Sequence, residues 1–203
     1  MKLTKTAAAF LLSALLILTM MPAAAWAEAS ESAPGGKAAS AGELNQALGG
    51  QHEVTGNKVT LRENVILGRD ILVKAAAPLT LDLNGKTITW DEDAFFTNRT
   101  STDETREEPI SSGIFVESDM TFTGNGTIRI ERAQTSVIMP YACDVTFQGG
   151  TYEAKGEDAA AIDLYGLKKE TVKLRINGGT FLGGVYSIEG AAANIEVNGG
   201  TLS

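Results

Sequence analysis

The sequence predicts an all-β fold: a parallel β-helix, or β-solenoid, closed at its N-terminal end by a short capping α-helix. Three observations carry this. One turn is written five times with small changes: LNGKTI (83–88), TGNGTI (123–128), FQGGTY (147–152), INGGTF (176–181) and VNGGTL (197–202). With the threonine of each turn as origin (Thr87, Thr127, Thr151, Thr180, Thr201), the intervals are 40, 24, 29 and 21 residues, and Leu61 to Leu83 adds a step of 22. These are rung lengths with unequal loops. The flanking segments alternate apolar and polar residues, as in Leu79, Leu81 and Leu83 around Thr80 and Asp82, or Val172, Leu174 and Ile176 around Lys173 and Arg175. Period two means one buried face and one wet face.

The elements follow in chain order. Lys2 and Lys5 precede an apolar run of 15 residues (7–21), then Pro22 and the A-x-A site Ala25-Trp26-Ala27, so residues 1–27 are expected to be a secretory signal peptide. The run is too short for a stable membrane span. Residues 28–40 are small, polar and Gly/Pro-bearing, and are expected to be a flexible linker before a β-helix domain over 41–203. Ser40 and Glu43 have capping-box spacing, Leu44 and Leu48 share a helical face, and Gly49-Gly50 gives the stop, which predicts a cap helix over 41–48. Strands follow at Val59, Val65, Ile71 and Leu79.

The turns also predict interior files. Leu83, Phe122, Phe147, Ile176 and Val197 are expected to stack in one, and Leu81, Met120, Val145, Leu174 and Ile195 in the next. Cys143 falls in a third, with Leu79, Val172 and Ala193, where it fills the core. The corners need glycine, which takes positive φ at little cost. Gly85, Gly126, Gly150, Gly179 and Gly200 are the candidates, behind an amide column that includes Asn84, Gln148, Asn177 and Asn198.

Charge and cysteine count narrow the function classes. Losing residues 1–27, which hold two lysines and no acids, would take the formal charge from −8 to −10. Such a surface repels nucleic acid, and it disfavours polyuronates unless metal ions bridge them. One cysteine leaves no internal disulfide. The chain is expected to be secreted or held at the cell surface without spanning the membrane. Residue 203 follows the last turn threonine by two positions without a capping element, so the coil is expected to continue in a longer protein.

GELNQAL (42–48), VTLRENVIL (59–67), LTLDLNGKTIT (79–89) and the NGGT turns resemble the secreted right-handed parallel β-helix proteins of the pectate-lyase-like superfamily, in the cell-surface form of Gram-positive bacteria. The resemblance covers residues 40–203. It implies right-handed winding, which the general chirality of parallel crossovers also favours. It implies too that an enzyme of this kind would hold carboxylates on one outer face, often with calcium. The family's W-x-D-H, paired-aspartate and HG signatures are missing, and the chain's one histidine, His52, precedes the coil.

Chemical candidates are few. The insertion over 91–111 holds seven acids up to Glu108, and Asp91, Asp93 and Asp103 are the candidate Ca²⁺ ligands, since hard cations want several carboxylate oxygens. A solvated loop explains the same composition. Phe95 and Phe96 in it either pin the loop or stack a sugar. Asp163, Asp158 and Glu157 are the candidates for acid–base work on a glycoside, against a plain reading as outward strand and turn residues. The threonine column is too unevenly spaced to order water. The expectation is a non-catalytic surface scaffold or adhesin-like module, with cell-wall or extracellular polysaccharide as the candidate partner and no cofactor. The alternative is a polysaccharide lyase or glycoside hydrolase.

Overall fold

The computed structural model describes residues 34–97, 111–164, 172–184, 186–190 and 193–203. The expected signal peptide, most of the expected linker, Asp103 and the residues around it, and Tyr165 lie outside these.

Six parallel strands build one face of a β-solenoid of about five turns: β1 (Gly36–Ala38), β5 (Ile71–Val73), β8 (Ser111–Val116), β11 (Thr135–Pro140), β13 (Ala160–Leu164) and β15 (Tyr186–Gly190). This is face three. Face one stacks β3 (Lys58–Thr60), β6 (Leu79–Asp82), β9 (Met120–Thr123), the first halves of β12 (Asp144–Ala154) and β14 (Val172–Leu182), and β16 (Ala193–Val197). Face two stacks β4 (Val65–Arg69), β7 (Thr87–Phe95), β10 (Thr127–Ile130), the second halves of β12 and β14, and β17 (Thr201–Leu202). In β12 and β14 one strand runs from face one to face two, the register shifting on either side of Gln148, because the NGGT-type turn is short enough to bend the strand without ending it. The one antiparallel pair among the described residues is β2 (Glu53–Thr55) with β3, turned at Gly56 and Asn57.

The helix α1 (Ala41–Ala47) closes the N-terminal end and buries Ala41, Leu44 and Ala47. Ser40 accepts the Glu43 N–H at 3.2 Å, while the Glu43 carboxylate reaches one residue further back than a standard capping box, to the Ala39 N–H at 2.7 Å. At the other end Gly50 N–H donates to Asn45 O and Gly49 N–H to Gln46 O, a Schellman motif with Gly49 at φ 100°. His52 ties this cap to the first rung. Its Nδ1 accepts the Arg62 N–H at 3.3 Å, which leaves Nε2 to donate to Leu48 O at 2.9 Å. The expected linker is shorter than 28–40, because Gly36–Ala38 pairs with β5 and the Gly36 N–H donates to Asp70 O.

The interior files run as expected from the third rung onward but slip by two residues in the second. The register aligns Val59, Leu81, Phe122, Phe147, Ile176 and Val197 in one file, and Leu79, Met120, Val145, Leu174 and Ile195 in the next. Leu83 is therefore not a strand position. It sits, fully buried, in a turn two residues longer than NGGT. The Leu83 N–H donates to Thr123 O, which stitches that turn to the rung above. The threonines do stack: Thr87, Thr127, Thr151, Thr180 and Thr201 are in register.

Inside the coil, aromatic rings continue the files. Phe122 stacks on Phe147 at 5.1 Å and Tyr152 on Phe181 at 5.0 Å, with Phe147 meeting Tyr152 edge-on at 4.7 Å. Such pairs add about 0.5–1.5 kcal/mol beyond their burial. The Tyr152 hydroxyl donates to Gly149 O, and burial pushes its pKa well above the usual phenol range. Cys143 is buried opposite Val172, without Leu79 in its file; its thiol donates to Val116 O and burial raises it to about 11.

Candidate functional site

Asn84, Gly85, Gly150, Gly179 and Gly200 take positive φ at the corners. Gly126 is required by space instead, since a Cβ there would stand 2.2 Å from Lys86 O; in that turn Gly124 takes the left-handed backbone, at φ 86°. The amides work from rung to rung. Asn84 Nδ2 donates to Leu61 O, and Asn198 Nδ2 donates to Asn177 Oδ1, both at 2.9 Å. These residues are architecture.

The acid–base candidates are not brought together as one group. Asp163 lies within β13, in the outward file of Leu72, Phe115 and Met139, yet is 6% exposed, so it is outward as its sequence suggests without being wet. Glu157 and Asp158 are exposed on the turn before that strand, with Asp158 at φ 52° and the Glu157 carbonyl accepting the Gln134 N–H. The calcium candidates are also divided. Asp91 and Asp93 are strand residues of β7, so the insertion begins after Phe95 rather than at 91, and β8 already starts at Ser111. Asp91 Oδ1 accepts the Asp93 N–H at 3.4 Å. Among the described residues no group of three His, Cys, Asp or Glu stands ready to hold a metal ion.

What the fold does build is a cleft of about 320 Å³ where face two turns toward face three. Its origin is a mismatch in strand length. β7 spans nine residues and β10 four, so the end of β7 overruns its neighbour and leaves a trough beside residues 129–132. Trp90, Asp91, Glu92 and Phe96 line one side, and Arg129, Glu131 and Arg132 the other. Trp90 donates its indole N–H to Arg69 O at 3.1 Å and meets Phe96 at a centroid distance of 6.1 Å. Its six-membered ring occupies the space left by Gly113, where a Cβ would come within 2.5 Å of Cη2. The Arg132 guanidinium lies over the Phe96 ring at 4.8 Å and donates to Ala94 O at 3.2 Å, which holds the overhanging end of β7 against the β10–β11 turn.

Charge around the cleft is organised along the rungs. Arg129 pairs with Glu153 at 2.5 Å, and the Lys155 ammonium stands 3.5 Å from Glu153 and 3.6 Å from Glu131. Small-ligand pockets span about 300–1,000 Å³, so the trough is at the small end of that range. Rings beside hydrogen-bonding charged groups suit a ligand with one apolar face and many polar edges.

Sequence reasoning flagged Asp91 and Phe96 and missed Trp90, Arg129, Glu131 and Arg132. Two signals pointed there. The interval of 40 places an insertion after β7, and Trp90 is the only tryptophan outside the expected leader. No helix among the described residues is long and apolar enough to cross a membrane. In comparisons with protein families, with curated proteins and with solved structures, the chain matches none.

Proposed function

We propose that this protein is an exported β-solenoid module of the pectate-lyase-like kind, working at the cell surface as a scaffold that contacts glycan without cleaving it. The observation that carries the reading is the cleft beside Trp90. A saccharide presents a C–H face that stacks on an aromatic ring and hydroxyl edges that reach charged side chains, and the trough offers both between two neighbouring rungs. Export rests on the basic, apolar and A-x-A segments of residues 1–27.

The test is a binding measurement on the mature chain against a panel of cell-wall and extracellular oligosaccharides, repeated with Trp90→Ala. Binding lost in the variant supports the reading; binding indifferent to Trp90, or absent from the whole panel, ends it. One observation favours a second reading as a lyase or hydrolase: the Asp163 carboxyl is 6% exposed in a shielded strand position, and glycoside cleavage uses carboxyl groups placed beside the scissile bond. Incubation with polysaccharides in the presence of Ca²⁺ decides between the two. New unsaturated or reducing ends, lost in Asp163→Asn, would replace the scaffold reading with the enzymatic one.

A further inference from the structure

We infer that the cleft beside Trp90 selects a glycan bearing free amines, a chain of de-N-acetylated amino sugars, over neutral or uronate chains. The inference rests on that cleft being the glycan-contacting surface.

The argument is one of which charges are already committed. Both cations of the cleft are engaged inside the protein. Arg129 faces Glu153 at 2.5 Å, and Arg132 is spread over the Phe96 ring with its Nη1 given to Ala94 O. The carboxylates are not matched in the same way. Asp91 and Glu92 are exposed on the overhanging part of β7, and among the described residues neither forms an ion pair. Glu131 shares the single Lys155 ammonium with Glu153. A ligand entering the trough therefore meets two carboxylates without an ion-pair partner and one guanidinium, Arg132, already laid over the Phe96 ring and bonded to Ala94 O.

A uronate would bring a like charge against Asp91 and Glu92, with only Arg132, held over the Phe96 ring, to receive it. A neutral sugar would stack on Trp90 and leave both carboxylates to water. An ammonium on the sugar ring offers three N–H donors and a positive charge, which makes charge-assisted hydrogen bonds to these acids. Placed near the indole, it is also attracted to the ring face. The three ligand classes thus share the stacking and differ in the charge contact alone.

Calorimetry on the full mature chain tests this with four probes: a β-1,4-linked glucosamine hexamer, its N-acetylated counterpart, a galacturonate hexamer and spermine, at a pH that protonates the amines. The expected result is that the glucosamine hexamer binds at least about tenfold more tightly than the N-acetylated one. This advantage should vanish in Asp91→Asn/Glu92→Gln. It should survive in Asp144→Asn/Glu53→Gln, which removes the same charge elsewhere and so controls for the acidity of the whole surface. Spermine, which has amines and no ring face, should bind more weakly than the glucosamine hexamer. Equal loss in the two double variants, or spermine binding as well as the sugar, overturns the proposal. If the N-acetylated or galacturonate hexamer binds in a Trp90-dependent way with no gain from amines, the amine selectivity falls and the glycan reading stands. If no hexamer binds, both fall.

Discussion

Face one and face three are wound from the same chain, yet their burial differs. On face one, β6 and β9 alternate buried and half-exposed residues, and the first part of β14 alternates buried and exposed ones. Threonines and ion pairs cover the outside, among them Lys58 with Asp82 at 2.6 Å and Arg175 with Glu196 at 3.0 Å. On face three, β11 and β13 are buried at every position, and β8 at all but its first. Met139 and Val137 are as inaccessible as Ile138 between them. Parallel strands covered on both sides read as near-continuous apolar runs, which is how VIMP (137–140) and AAI (160–162) appear in the sequence, although Thr135, Ser136 and Asp163 are buried there too. The lesson is that a coil can keep one backbone geometry while its faces belong to different environments.

The sharpest way to break the comparison is to place one charge on each face. Met139→Lys buries an unpaired ammonium on face three and is expected to cost several kcal/mol, ~3 or more, or to prevent folding. Thr146→Lys, half-exposed on face one, is expected to stay within about 0.5 kcal/mol. Urea midpoints at constant m-value read both. Equal losses would mean the two faces do not differ in solution.

A middle-sized effect is expected at the corner that joins face two to face three. A Cβ on Gly156 would lie 2.0 Å from Arg132 O, and one on Gly184 would lie 2.0 Å from Gly156 O, so backbone stacks on backbone there. Gly156→Ala must push rungs apart, at roughly 1–3 kcal/mol. Because Arg132 also holds the cleft, the variant should weaken glycan binding along with stability, whereas Lys58→Met should leave binding unchanged. That second change breaks an ion pair whose side chains are 43% and 19% exposed, and is expected to cost about 0.2–1 kcal/mol by thermal melting.

The last effect is one of pH. Burial raises the Cys143 thiol from 9.0 to about 11, so the folded protein keeps its proton where the unfolded chain loses it. Stability from this group is complete below pH 9 and falls as pH rises from 9 to 11. Cys143→Ala should flatten that part of the stability profile. At pH 8 a thiol reagent should label the native protein slowly and the urea-unfolded protein at once; fast native labelling would contradict the burial.

Much of this was legible along the chain. The NGGT turns gave the solenoid because a short repeated corner leaves few other ways to bury the flanking alternation, and Ser40, Glu43 and Gly49 marked the cap helix because capping chemistry is local. The slip of the file at Leu83 was not legible, since the difference between LNGKTI and NGGT is absorbed inside a turn and shows only in the pairing of neighbouring rungs. Asp163 misled for a related reason: a lone acid in a strand reads as outward and wet, and whether outward is also wet depends on what covers the face.

The sequence by itself determined the class of fold, the N-terminal cap, the stacked threonines and an acidic surface, because each follows from local backbone preference, side-chain period or a simple count. Tertiary structure alone decided the two-sided burial of face three, the glycine stacking of Gly156 and Gly184, and the cleft at Trp90. Each of these arises where residues from different rungs meet, Arg132 on Phe96 or Trp90 over Gly113, and no one-dimensional pattern carries the distance between rungs.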